Sequence, residues 1–244
     1  TSRWHPGFSN YISMKKNGVH IIDMEQTSQC MIRAVEAIVK IVQGNGNILF
    51  VGTKKQAKDV VQQAADRCGM YYIVERWLGG TLTNYGTIKK SIKRLTILEK
   101  ESSEIYANLT KKELNSLERE HLRLADLHRG IKDMKHLPSG LFFVDGIHEK
   151  IAIAEARVLG IPTFGIIDSN TDPNVIDYPI PANDDSMKTI HLIVNYIADG
   201  IIEATGGIVD TDLTGDEIKE VPSKTTASLL LEEDKVAVKQ NIDS

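Results

Sequence analysis

The sequence is 244 residues long, 41% hydrophobic and 25% charged, with 33 Asp and Glu against 29 Lys and Arg. That length allows one large domain or two small ones, and the composition allows a packed core. It excludes a helical membrane protein, because no apolar run approaches about eighteen residues, and two cysteines, Cys30 and Cys68, are too few and too far apart for a disulfide scaffold or a thiolate metal site.

The net charge of −4 hides an asymmetry. Residues 1–100 carry 15 Lys or Arg against 7 Asp or Glu, a balance of +8; residues 101–200 and 201–244 each come to −6. A basic front attracts polyanions even on a chain that is acidic in total. No signal peptide is visible, and both cysteines fall in helical patterns, so buried thiols in a reducing cytoplasm are expected.

Residues 1–18 interleave Trp4, Phe8 and Tyr11 with Arg3, Lys15 and Lys16 and read as a basic arm. VHIID (19–23) is a short strand. Residues 25–44 fit a helix, with Met31, Val35, Ile38 and Val42 at three- and four-residue steps and Gly44 as a stop. NILFVGT (47–53) is a buried strand, 53–69 a helix ending at glycine, and MYYIVE (70–75) the next strand. The pattern then changes. Residues 84–101 and 110–130 both read as helices, one with Ile88, Ile92, Leu95 and Leu98 in a stripe, the other with Leu114, Leu117, His121, Leu124 and Ile131. Two such stripes predict a coiled helical hairpin inserted into the main body. Strands resume at 141–145 and 162–168, around a helix at 149–160. A long loop with three prolines (169–185) leads to a last helix at 186–204. Strands alternating with helices predict an α/β fold: a three-layer domain with a mostly parallel sheet covered on both faces. The expected divisions are an arm at 1–18, the α/β domain at 19–83 and 131–206, the hairpin at 84–130, and an acidic tail at 207–244 in which SLLLEE (228–233) is a candidate anchor.

Such a sheet invites a nucleotide-binding reading, which the motifs do not favour. After NILFVG comes TKKQAK, with a single glycine, and GxxxxGK[ST] is absent. Asp145 and Asp168 end predicted strands, and Asp184 and Asp185 precede the last helix. Parallel strands bring such carboxylates to one edge, where they either bind a divalent cation, do acid–base work, or simply cap the final helix and tie down their own loop. No Ser–His–acid grouping stands out. His20, His121 and His191 lie within patterned elements; His5, His128, His136 and His148 read as the more exposed ones, at no metal-ligand spacing.

The segment ERWLGGTLTNYGTIKKSIKRL (75–95) carries the sharper signal. Gly79 and Gly80 allow a tight turn, and Thr83 or Asn84 can cap the next helix. On that helix Lys89, Lys90, Lys93 and Arg94 share one flank, opposite the apolar stripe. Four cations on an open face suit a polyphosphate backbone better than one bound phosphate. Arg3, Trp4, Tyr11, Arg76 and Tyr85 offer planar groups for stacking on RNA, Trp77 reads equally as core, and Lys54, Lys55 and Lys58 extend the basic surface.

RWHPGF (3–8), NGVHIIDMEQT (17–27), ILFVGTKKQA (48–57), the 75–95 segment, GIKDMKHLPSGLFFVD (130–145) and EARVLGIPTFGIIDSNTDPNVIDYPIPANDD (155–185) together resemble the bacterial-type family of ribosomal small-subunit protein number two. The motifs run in the family's order and cover nearly all of residues 3 to about 205. The resemblance implies a Rossmann-like domain with an inserted coiled hairpin. It also implies a non-catalytic role in the small ribosomal subunit, binding to 16S-type rRNA, and support for neighbouring proteins, including the large mRNA-capturing protein number one. Arg3 and Trp4 fit the family's basic arm, and Lys54, Lys55, Arg76, Lys89, Lys90, Lys93 and Arg94 fall in its motifs; these, with Lys15 and Lys16 of this sequence's own basic N-terminal stretch, are expected to contact RNA. No cofactor is implied as required, but some members hold zinc with aspartates that match Asp168, Asp184 and Asp185, together with a histidine from a stretch this sequence does not contain. Zn or Mg at those aspartates is therefore an expectation. The acidic tail looks lineage-specific and suits a protein partner. The competing readings are a nucleotide- or sugar-handling enzyme and a protein-binding adaptor.

Overall fold

In the parallel sheet at the centre of the fold, residues without charge fill whole strands. β3 (Ile48–Val51), β5 (Gly140–Val144) and β6 (Thr163–Ile167) are buried at every position, as strands covered on both faces must be. The computed structural model describes residues 4–100 and 110–207, all within one compact unit, Thr1–Ile208. Arg3, the segment joining the two expected hairpin helices, and the C-terminal stretch from 208 onward, SLLLEE included, lie outside the described residues.

β4 (Tyr71–Ile73) and β7 (Tyr178–Pro181) complete a five-stranded sheet of order β4-β3-β5-β6-β7, parallel throughout. Side chains alternate between its faces. Ile48, Phe50, Phe142, Val144, Phe164 and Ile166 share one core with α1 (Met24–Gln43), α2 (Lys58–Cys68) and α6 (Met187–Ala204). Leu49, Val51, Leu141, Phe143 and Ile167 share the other with α5 (Lys150–Val158), Trp77, Leu82 and Phe8. Each fully buried Phe contributes about 2–3 kcal/mol of transfer free energy. Phe143 presses so closely on β6 that a side chain at Gly165 would collide with its ring.

Two strands differ from the sequence expectation. β1 (Ile12–Lys16) pairs antiparallel with β2 (Val19–Ile22) as a separate two-stranded sheet, where an arm was predicted. Its turn is Asn17–Gly18, both at positive φ, the backbone a tight hairpin requires. Just before it, a 3-10 turn at Pro6–Tyr11 sinks Phe8 completely into the core, so this stretch is anchored. β7 falls inside the predicted long loop. Pro179 and Pro181 cannot donate to a ladder, which hides a strand in sequence; β7 is the sheet's edge, where that costs nothing.

The helices follow their periodicity closely. α1 starts at its cap Asp23, and α6 starts at Ser186, whose hydroxyl accepts from the Thr189 amide; Asp184 is therefore not that helix's cap. The basic helix is α3 (Tyr85–Lys100), and α4 is Lys111–His128. They pack on each other through Leu95, Leu98 and Leu124, with Leu117 and Ala125 beside them. Ile131, predicted at the end of the same stripe, belongs instead to a 3-10 turn (Arg129–Ile131) buried in the main core. His128 is buried rather than exposed: its Nε2 lies 2.8 Å from the Ser91 hydroxyl, and burial pulls its pKa down.

Candidate nucleic-acid interface

The loop between β4 and α3 is shaped by a residue that sequence reasoning did not single out. Glu155, on the inward face of α5, is 8% exposed. Its Oε1 accepts from the Trp77 indole (3.0 Å) and the Gly80 amide (2.8 Å). Its Oε2 accepts from the Leu82 amide, the Thr83 amide and the Thr83 hydroxyl, each at 3.0 Å. Burial alone would raise its pKa, but these donors outweigh burial and hold it below the usual carboxylate range. Trp77 is thereby a core residue and no stacking platform. Gly80 sits at φ 86°, which a side chain would strain. Thr83 turns to Glu155 instead of capping α3, and Asn84 accepts from the Thr87 hydroxyl. The only sequence signal for Glu155 was a charge on the apolar side of a helix, at the start of the EARVLG motif.

That clamp fixes how α3 leaves the sheet edge and where its cations stand. Lys89, Lys90, Lys93 and Arg94 are all exposed, opposite the buried Ile88, Ile92 and Leu95. Two are engaged within the chain. Lys89 donates to the Lys135 carbonyl (2.7 Å) and lies 4.9 Å from the centre of the Tyr85 ring. Arg94 forks onto Glu120 of α4, both bonds at 3.1 Å, and lowers that carboxyl's pKa. Lys90 and Lys93 have no ion-pair or hydrogen-bond partner among the described residues. Lys55 and Arg76, also exposed, follow the parallel neighbours β3 and β4, and so leave the same edge of the sheet. Lys15 and Lys16 project from β1. Trp4 is 40% exposed and meets His20 edge-on; Tyr11 is half-buried against Phe8. Lys58 is paired with Glu75.

Lys54, expected on the phosphate-facing surface, is turned inward. Its Nζ lies 3.1 Å from Asp145, 2.8 Å from Asp184 and 2.7 Å from Asp185. Burial works against its charge, but the bonds to Asp184 and Asp185 more than compensate and raise its pKa. Asp184 is pushed up to about 6 by burial and by the nearby Asp145, against the pull of Lys54. Asp168 accepts from the Ser169 amide and adds only a more distant repulsion to Asp184. The carboxylates do converge at the strand ends, as the parallel topology requires, but an ammonium stands among them. A divalent ion there would face that fixed positive charge, so the residues do not fit Zn or Mg in this arrangement. No group of three His, Cys, Asp or Glu that could hold a metal occurs among the described residues.

No helix among the described residues is long and apolar enough to cross a membrane. Residues 1–204 match the family model described as Ribosomal protein S2. With most of its length inside that match, the chain belongs to the ribosomal protein S2 family, and its role is that of a structural ribosomal protein, with ribosomal RNA and ribosomal proteins as partners and no catalysis.

Proposed function

We propose that the chain is a scaffold of the small ribosomal subunit that grips 16S-type rRNA with an open positive surface. The observation that carries this is the pair Lys90 and Lys93: exposed, on one flank of α3, with no partner among the described residues. Lys55, Arg76, Lys15 and Lys16 extend the set. Cations left unpaired on a folded surface are suited to meeting phosphates, each contact releasing condensed counterions. Lys54 and Arg94 are given no primary RNA role, because carboxylates already hold them; Lys89 contributes once released from the Lys135 carbonyl. We take the cation of the Asp145–Asp184–Asp185 group to be the Lys54 ammonium.

In this reading the parallel sheet with helices on both sides is a Rossmann-like body, which the strand order β4-β3-β5-β6-β7 supports. Residues 84–130 form a coiled hairpin inserted into it, residues 1–18 carry the lysines of the β1–β2 hairpin, and 207–244 is an acidic tail for a protein partner. The subunit is cytoplasmic, and the scaffold helps seat neighbouring proteins, the large mRNA-capturing protein number one among them.

The test is binding of the full chain to a small-subunit RNA domain over a salt series. The expected result is affinity that falls linearly on a log–log plot with a slope set by several phosphate contacts. Binding absent at low salt, or independent of salt, contradicts the reading.

A further inference from the structure

On α5, Lys150, Ala154 and Arg157 are exposed, with the core residue Ile153 between them. Lys150, Ile153, Ala154 and Arg157 recur at helical spacing along one stripe and, with Gly146, Val158 and Val175, line a cleft of about 520 Å³. On and just before the same helix, Val158 is 77% exposed, Ile151 50% and Ile147 49%. Scattered apolar side chains on a surface need no explanation, but a contiguous group around a concavity marks a place of contact.

The two cations give that contact a chemistry. Lys58, Arg67, Arg94, Arg129 and Lys132 each have a carboxylate partner. Lys150 and Arg157 have none among the described residues. They stand at either end of the apolar stripe, about 10 Å apart along the helix axis at the usual rise per residue. RNA is poorly served here: among the described residues no aromatic side chain lines the cleft to stack on a base, and an aliphatic floor offers phosphates nothing.

We propose that the α5 cleft docks an acidic amphipathic helix of a partner protein. Its apolar residues fill the space over Ile153, Ala154 and Val158, and two carboxylates seven positions apart meet Lys150 and Arg157. The site is on α5, independent of the cations assigned to RNA, so either reading can fail alone.

The probe is a hydrocarbon-stapled, fluorescein-labelled helical peptide with Glu at positions i and i+7 and Leu at i+3 and i+4, titrated onto the full chain. A peptide of the same composition with the Glu and Leu positions exchanged is the control. The designed peptide is expected to bind at least about tenfold more tightly than the control, and Lys150→Glu with Arg157→Glu to reverse that preference in favour of a Lys-for-Glu peptide. Ala154→Trp, at an exposed position, should block binding while leaving the urea midpoint unchanged. Equal binding of peptide and control overturns the proposal. So does a charge-reversed variant that loses RNA affinity instead, or a concentration-dependent dimer that Ala154→Trp abolishes, which would make a second copy the occupant.

Discussion

Replacing Glu155 tests the link from one buried carboxylate to the position of α3. Five donors converge on it, and two of them, the Trp77 indole and the Leu82 amide, sit where water does not reach. Glu155→Ala orphans both, at about 1–3 kcal/mol each. The Gly80 amide and the two Thr83 donors are half-buried and can turn to water. The expected cost is about 3–5 kcal/mol. Glu155→Gln keeps one acceptor oxygen but sets an NH2 group against N–H donors, for about 2 kcal/mol. Urea unfolding followed by circular dichroism gives these values, and Trp77 fluorescence in a Trp4→Phe background reports on the loop. The pH dependence has a fixed sign. The folded pKa lies below the unfolded one, so the carboxylate's contribution is complete above the unfolded value and disappears as pH falls through the folded value. The gap between wild type and Glu155→Gln should therefore close in acid. An alanine cost under about 1 kcal/mol, or a gap that widens on acidification, would refute the clamp.

Glu149 should behave in the opposite way. It is 2% exposed, burial raises its pKa, and among the described residues its partners are the Thr53 amide and hydroxyl, from which Oε1 accepts. A folded pKa above the unfolded one means stability falls as pH rises through that window. Glu149→Gln retains the acceptor and sheds the charge, so urea unfolding at neutral pH should show no loss or a small gain. Lys54→Met leaves the buried Asp184 beside Asp145 with no counter-charge and should cost about 3–5 kcal/mol. Adding Asp184→Asn should recover part of that loss in the same unfolding assay, whereas additive losses would mean the two do not interact.

Periodicity made the helices and the three central strands legible, because a residue buried on both faces or along one stripe leaves a pattern that needs no knowledge of its neighbours. β7 escaped because its prolines are tolerated only at an edge, and edge status is a property of the whole sheet. β1 escaped although Asn17–Gly18 announced a hairpin; lysines and the exposed Met14 masked the alternation. Of the candidate RNA residues, exposure on α3 followed from helical spacing. What spacing could not tell was which cations are already satisfied. Lys54 is paired with carboxylates 91, 130 and 131 residues away in sequence, and Arg94 with one on another helix. Glu155 was illegible for the same reason: its partners are 72 to 78 residues distant and four of its five donor groups are backbone or indole, which no charge pattern reveals.

The most direct test is the salt dependence of RNA binding by Lys90→Ala with Lys93→Ala, beside the unfolding free energy of the same variant. Both side chains are exposed and unpartnered, so stability should change by no more than about 0.5 kcal/mol, while affinity drops and the log–log salt slope shrinks by about 1–2 units. An unchanged slope, or affinity lost only in step with stability, would contradict an open positive surface meeting ribosomal RNA through α3.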